Sequence, residues 1–353
     1  MKRVVLLGGG YGGMNALHTL LDHDLPPDVE LVVIDRNPYH SLKTEFYAIA
    51  AGTKSDKEVR IEFPKDERVS YQYGEIIEIN TDEEYIRLKG REETISYNYL
   101  IIGLGCEDNY HGVPGAMEYT ESVQTIQSAC ITSDKVNNLP AYSQVAVVGA
   151  GLSGIEVASE IRESRADLNI CLLDRGASVL SAFDEKIRTY VEDWFRKNDV
   201  TIFHHSNVEL VAEGIFYNNG EGIESDVIIW TAGVRPHYLV RSLPFEKDRH
   251  EKIIVNNYYQ VPQAPNVYVV GDCVSSPHSP SAQLAGLQGE QIGHVLGDLL
   301  MGKVPSEPKE IKLKGQLGSL GRTDGFGSMY QRPMTGLLPR LAKSGVLWLN
   351  KRH

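Results

Sequence analysis

One pattern of apolar and small residues occurs twice in this chain. Residues 4–21 read VVLLGGGYGGMNALHTLL and residues 145–162 read VAVVGAGLSGIEVASEIR. Each opens with four apolar residues, the run expected of a strand buried on both faces. Each closes with apolar positions at helical spacing. Between them stand Gly8, Gly10 and Gly13 in the first copy and Gly149, Gly151 and Gly154 in the second. The pattern therefore predicts strand, tight loop and helix, twice over. Further apolar runs predict more buried strands. Residues 30–34 end at Asp35 and residues 170–173 at Asp174. Residues 99–102 run into Gly103-Leu104-Gly105, residues 227–230 into Thr231-Ala232-Gly233, and residues 266–270 into Gly271-Asp272.

The weaker patterns lie between. Residues 41–53, with the step Lys43-Thr44-Glu45, are small and apolar and read as a helix entrance beside the first loop. Residues 54–98 alternate polar and apolar, with 68–78 and 84–88 strand-like, and predict a small side sheet. Strands are also expected at 200–204 and 208–212. Ser279-Pro280 reads as an N-cap followed by proline at the first helical position. The helix so opened carries Ala282, Ala285, Gly289, Ile292, Gly293 and Leu296 on one face.

A glycine loop of this form between strand and helix is a pyrophosphate cradle. Its first glycine permits the turn, its second lets backbone approach phosphate, and its third packs helix on strand, while the helix N-terminus offers N–H groups to the anion. Glycine-rich turns also occur for packing alone, but two copies, each followed by an acid at the end of the next strand, point to two dinucleotide sites. Asp35 and Asp174 stand where a carboxylate accepts from an adenosine ribose. Gly105 would let backbone lie against a cofactor. Asp272, at its strand end, reads either as a turn residue or as a ligand for a cofactor's polyol chain. Glu156, two residues after Gly154, reads equally as an acid complementing the helix dipole or as a functional group.

Composition narrows the class. A chain of 353 residues holds two or three domains. A formal charge of −12 argues against nucleic acid as a partner. No apolar run is long enough to span a membrane, and glycines end the opening apolar run after Leu7, so it reads as a strand rather than a signal peptide. Cys106, Cys130, Cys171 and Cys273 are too far apart for a dithiol relay and fit a reduced, cytoplasmic compartment. The histidines show no zinc spacing, so no metal is expected.

In order and kind these motifs resemble the two-dinucleotide-binding-domain flavoproteins, and within them the type II NADH:quinone oxidoreductases. The stretches that carry the closer likeness are 43–53, 230–234, Ala282-Gln283-Leu284-Ala285-Gly286-Leu287-Gln288 and 314–321 with Arg322. The resemblance implies an α/β fold of two Rossmann-like domains, an FAD domain interrupted by an NAD(P)H domain, and a short C-terminal region. It divides the chain into 1–112 and 246–305 for FAD, 113–245 for NAD(P)H, and 306–353. It implies FAD at Gly8, Gly10, Gly13, Asp35, Thr44, Gly105, Asp272, Ala282 and Gln283, and NAD(H) at Gly149, Gly151, Gly154, Asp174 and Gly233. Glu156 would lie near the nicotinamide–flavin contact and pair with Lys314, and Gln283 and Gln288 would mark the quinone site. Being five apart, these glutamines do not share one helical face, so packing or a solvated face stays open for each. The implied reaction takes hydride from NADH and passes electrons to a quinone. A soluble acceptor such as a ferredoxin, or a flavin-binding redox sensor of low turnover, stay open as alternatives, and the resemblance is compatible with a homodimer.

Three departures from the family pattern stand out: Ser281 where threonine is usual, Arg175 directly after Asp174, and no membrane-anchoring segment before the chain stops at His353. The closing stretch is basic, with Arg332, Arg340, Lys343, Lys351 and Arg352 set among Leu337, Leu338, Leu341, Val346, Leu347, Trp348 and Leu349. Pro339 argues against one long straight helix there. The leucines are expected to pack against the protein's own core, leaving at most weak, salt-sensitive contact with the inner face of the cell membrane.

Overall fold

The two glycine repeats open two separate parallel sheets. The computed structural model describes residues 2–330 and 332–350. Lys351 and Arg352, and the side chains of Val346, Trp348 and Leu349, lie outside the described residues. The chain divides into one unit of residues 1–41, 60–107 and 235–313 and a second of 42–59, 108–234 and 314–353. These units divide the chain near residues 107 and 234, beside the expected divisions at 112 and 245, and the second unit includes both the 42–59 segment and residues 314–353. The pattern around 41–53 marks a helix without saying which core receives it.

In the first unit six strands form one sheet in the order Gln260–Val261, Ala264–Val269, Tyr99–Ile102, Lys2–Leu7, Val29–Asp35 and Val69–Tyr73. All neighbours are parallel except the Gln260–Val261 edge. Leu7 pairs with both Ile34 and Ile102, so the central strands end level and the first loop leaves from their carboxyl ends. Both faces are covered: Val5, Leu7, Ile34, Leu100 and Val269 lie in one core, Leu6, Leu17, Leu31, Ile101 and Leu296 in another. That is why these strands read as unbroken apolar runs. The strand at 69–73, expected in the side sheet, instead pairs with Val29–Asp35; the side sheet proper is Ile76–Asn80, Tyr85–Leu88 and Thr94–Ser96.

The Tyr11–Leu21 helix packs on the long helix Ala282–Leu300 through small residues. A Cβ at Gly289 would stand 2.1 Å from Gly12 O, and one at Gly293 2.5 Å from Thr19 Cβ. The long helix begins at Ala282, not at Pro280 as expected, because Ser281 is its N-cap: Ser281 Oγ accepts from Leu284 N–H at 3.1 Å.

The second unit has the all-parallel order Val200–Phe203, Asn169–Leu173, Gln144–Val148, Val227–Trp230. Val148 pairs with both Leu173 and Trp230, again bringing the loop out level with its neighbours. The strands Gly315–Leu320, Asp324–Met329 and Arg332–Gly336 form an antiparallel sheet, followed by the final helix Leu337–Asn350. Pro339, expected to interrupt a helix, is the third residue of this one, where its missing N–H has no intrahelical partner to lose. The helix is also turned the other way from the expectation. Leu337, Leu338 and Leu341 are 59%, 69% and 57% exposed, whereas Lys343 is buried.

Candidate functional site: two glycine loops and a buried ion cluster

The two loops share their geometry. Gly8 and Gly149 have φ of +94° and +104°, and a Cβ on either would meet backbone: Gly103 O at 2.5 Å, Ala232 Cα at 2.6 Å. A Cβ at Gly13 would stand 2.1 Å from Gly8 O, and one at Gly154 1.9 Å from Gly149 O. These four glycines are required by the protein itself. At Gly10 and Gly151 the reverse holds, for a Cβ there meets nothing within 4 Å. Both are helix N-caps that supply no side-chain cap, and neither helix has an acid in its first turn. Open space before an uncapped helix N-terminus is what a pyrophosphate needs; on this ground the residues fit both dinucleotides.

The acids do more than the sequence suggests. Asp35 Oδ2 accepts from Gly9 N–H at 2.7 Å and its Oδ1 from Asn37 N–H at 2.8 Å. Asp174 repeats this with Ala150 N–H at 3.1 Å and Gly176 N–H at 2.7 Å. Each carboxylate ties its own loop to its own strand end, in addition to any ribose it holds. Burial raises Asp35 above the usual carboxylate range, opposed by these amides. His40 supports the first loop through Nδ1 and Gly9 O, 2.8 Å apart, and burial lowers its proton affinity. A cleft beside this strand end is lined by Pro38, Phe63, Tyr71 and Tyr73.

Elsewhere in the first unit, Gly105 has φ +69° with open space at its Cβ position. Asp272 sits in the 3-10 turn Gly271–Cys273. Gln288 is 3% exposed and its Oε1 accepts from Gly271 N–H at 2.9 Å, so it is a buried support of this turn rather than part of a solvated face. Ala282 and Gln283 are half-buried in the first turn of their helix. In the second unit Thr44 is exposed, and Gly233, at φ +126°, leaves His111 Nε2 3.3 Å from its Cβ position.

Glu156 belongs to a buried ion cluster in the second unit. Its Oε1 accepts from Ser319 N–H at 2.8 Å and from Lys343 Nζ. The expected partner, Lys314, is exposed. Lys343 takes that place because the final helix points inward at this position. Glu45 is 2% exposed, pairs with Lys54, and has Oε1 3.9 Å from Lys343 Nζ. Tyr47 gives its ring face to Lys343, 4.4 Å from the centroid, and its hydroxyl and Ser319 Oγ share a hydrogen bond of 2.9 Å. Burial raises Glu156, and Lys343 and the Ser319 amide pull it back. Tyr47 is pushed up to about 12, mainly by burial. Glu45, Tyr47 and Ser319 lie in the stretches 43–53 and 314–321 that carry the family likeness, but nothing local joins them to Lys54 or Lys343. The available signals, a lysine among leucines and an acid leading an apolar helix, do not say that they meet.

None of the four cysteines is disulfide-bonded, and burial pushes the Cys171 thiol up to about 12. Among the described residues no group of three or more histidine, cysteine or acidic side chains is placed to hold a metal, and no helix is long and apolar enough to cross a membrane.

Comparison with known proteins decides the family, because the model for pyridine nucleotide-disulphide oxidoreductases matches residues 2–289. The chain belongs to the pyridine nucleotide-disulphide oxidoreductase family. NADH dehydrogenase-like protein YutJ of Bacillus subtilis is 51% identical over 354 residues, covering 100% of this chain and 99% of that one. A type II NADH:quinone oxidoreductase of Staphylococcus haemolyticus is 24% identical over 95% of this chain and 91% of its own length. The solved structure of NDH2 from Plasmodium falciparum in complex with NADH shares the fold with a TM-score of 0.84 at 17% identity, covering 99% of this chain and 94% of that one. This pyridine nucleotide-disulphide oxidoreductase is an NADH dehydrogenase-like flavoenzyme of two Rossmann-like domains, with FAD and NAD(H) as cofactors. It has no Cys-x-x-Cys dithiol of its own.

Proposed function

We propose that this protein oxidises NADH and delivers the electrons to a quinone. The observation that carries the proposal is the pair of open glycine cradles at uncapped helix N-termini, in a chain 51% identical to a protein named NADH dehydrogenase-like. More distant relatives named as quinone oxidoreductases favour a quinone as acceptor.

FAD, held by the first loop, supplies hydride acceptance from NADH and onward electron transfer; the protein's part is positioning and electrostatics. Gly8, Gly10 and Gly13 bind the FAD pyrophosphate, and Asp35 fixes the loop and meets the ribose. The Pro38–Tyr73 cleft suits a flat base. Gly105, Ala282 and Gln283 of the first unit would hold the remainder of the cofactor, and Asp272 its polyol hydroxyls. Gly149, Gly151, Gly154, Asp174 and Gly233 bind NADH. Glu156 is the candidate buried charge on the NADH-binding unit, and Gln283 is the candidate quinone contact.

The outward face of the final helix adds a location. Leu337, Leu338 and Leu341 with Arg340 make a short basic amphipathic surface, suited to the interface of an anionic bilayer at the inner face of the cell membrane. The deciding experiment is stopped-flow reduction of the purified yellow protein by NADH, followed by re-oxidation with a water-soluble quinone or a ferredoxin. Fast re-oxidation by the quinone is the expected result. Re-oxidation by ferredoxin alone would replace the acceptor, and a colourless protein that takes up no FAD would end the proposal.

A further inference from the structure

We propose that His23 and His294 form a binding site for a divalent transition-metal ion of the zinc class on the surface of the first unit. The two imidazoles stand 271 residues apart in sequence and bring one nitrogen each, His23 Nε2 and His294 Nδ1, to 3.3 Å from one another. His294 is exposed and His23 half-buried, so the pair is open to solvent.

At that distance a hydrogen bond between the rings is weak. It exceeds the usual N–H···O range of about 2.7–3.2 Å, and water competes for both nitrogens. The same distance suits a pair of metal ligands. Two nitrogens about 2.0–2.1 Å from a zinc ion, separated by the tetrahedral angle, stand about 3.3 Å apart. The rings are inclined at 74° with centroids 5.5 Å apart, so they do not stack. With the ring protons on His23 Nδ1 and His294 Nε2, both facing nitrogens carry free lone pairs. Reaching that arrangement from two neutral rings changes one tautomer and releases no proton.

The pair is held in place before any ion arrives. His23 follows the Tyr11–Leu21 helix; its N–H donates to Leu20 O at 3.2 Å and its carbonyl accepts from Leu25 N–H at 2.9 Å. His294 lies in the Ala282–Leu300 helix, which packs on the first through Gly289 and Gly293. Gly297 extends that seam. A Cβ there would stand 2.7 Å from His23 Cδ2 and 2.8 Å from His23 Nε2. Glycine inside a helix costs stability relative to alanine. At 297 it gives the His23 ring its seat, one turn along from His294. Ligands fixed by two packed helices lose little freedom on binding.

The local charge suits a cation. Asp22 and Asp24 flank His23 in sequence, and Glu290 and Asp298 stand one turn either side of His294 on the same helix. Arg68, which donates to the His23 carbonyl at 3.4 Å, is itself paired with Asp66. Among the described residues no third histidine, cysteine or acid completes a ligand set. Water therefore fills the remaining positions, and the site is exchangeable rather than structural. Imidazole ligands select zinc, copper or nickel, whereas magnesium and calcium prefer oxygen.

Calorimetric titration of the untagged, chelator-treated holoprotein with zinc chloride, and separately with magnesium chloride, tests this. One zinc ion per chain and no magnesium is the expected result. His23→Ala and His294→Ala should each weaken zinc binding at least tenfold. Gly297→Ala keeps both histidines but displaces the His23 ring, and should weaken binding several-fold. Zinc should also shield His23 and His294 of the wild type from diethyl pyrocarbonate, read by peptide mass spectrometry. Wild-type zinc affinity in any of the three variants would overturn the proposal, as would shielding confined to other histidines. Should a variant not fold, the shielding of the wild-type protein decides alone.

Discussion

The side-chain oxygen of Gln288 takes the amide of Gly271, 2.9 Å away, and so holds the turn that presents Asp272. Replacing Gln288 with leucine would leave a buried N–H without an acceptor, at a cost of about 1–3 kcal/mol. The expected result is weaker FAD retention, read by fluorescence titration of the apoprotein, with flavin reduction and re-oxidation both affected. Slowing of the quinone step alone, at unchanged FAD affinity, would return Gln288 to the acceptor site.

The loops predict two classes of glycine variant. Gly10→Val and Gly151→Val fill space that the protein leaves open, so both should fold with little change in Tm. Gly10→Val should purify colourless, while Gly151→Val should stay yellow and be reduced by NADH at least tenfold more slowly. Gly13→Ala and Gly154→Ala put a methyl within about 2 Å of a carbonyl oxygen and should unfold or lose several kcal/mol. Loss of the same cofactor from both valine variants would refute the assignment of the two loops.

Cofactor choice turns on Asp174 and its exposed neighbour Arg175. A 2′-phosphate beside the carboxylate meets like charge, so kcat/KM should favour NADH over NADPH. A preference for NADPH that disappears in Arg175→Ala would show the arginine to prevail.

Stability should fall in mild acid because of His40. Burial lowers its folded pKa, so above the unfolded value of about 6.5 both states are neutral and the group contributes nothing. Below it the unfolded chain binds a proton that the folded form refuses, and unfolding gains. Denaturant titrations between about pH 5 and 7 should show a loss of up to one proton's worth of slope in His40→Asn relative to wild type. Equal slopes would exclude His40 as the cause.

Membrane contact should be weak and salt-sensitive. Each basic residue near an anionic surface contributes about 1 kcal/mol, and the exposed leucines add apolar burial. Sedimentation with anionic vesicles should show binding at low salt that falls at high salt and is abolished by Leu338→Glu with Leu341→Glu. Binding that the double variant keeps would assign the contact to another surface.

Much of the architecture is legible in the chain because its signals are local. An apolar run with a glycine turn and helical spacing after it is decided within some twenty residues by backbone sterics and burial. Twice over, this sets two parallel sheets, two loops and the acids Asp35 and Asp174. What only the tertiary structure decides depends on partners distant along the chain. Lys343 meets Glu156 across 187 residues, and no spacing rule distinguishes Lys343 from Lys314 as its partner. The final helix shows the limit most plainly. Three leucines and a lysine in one short segment suggest leucines inward, since apolar burial is the usual gain. The fold places two buried carboxylates beneath that helix instead, and the attraction of charges in a poorly screened interior turns the lysine in and the leucines out.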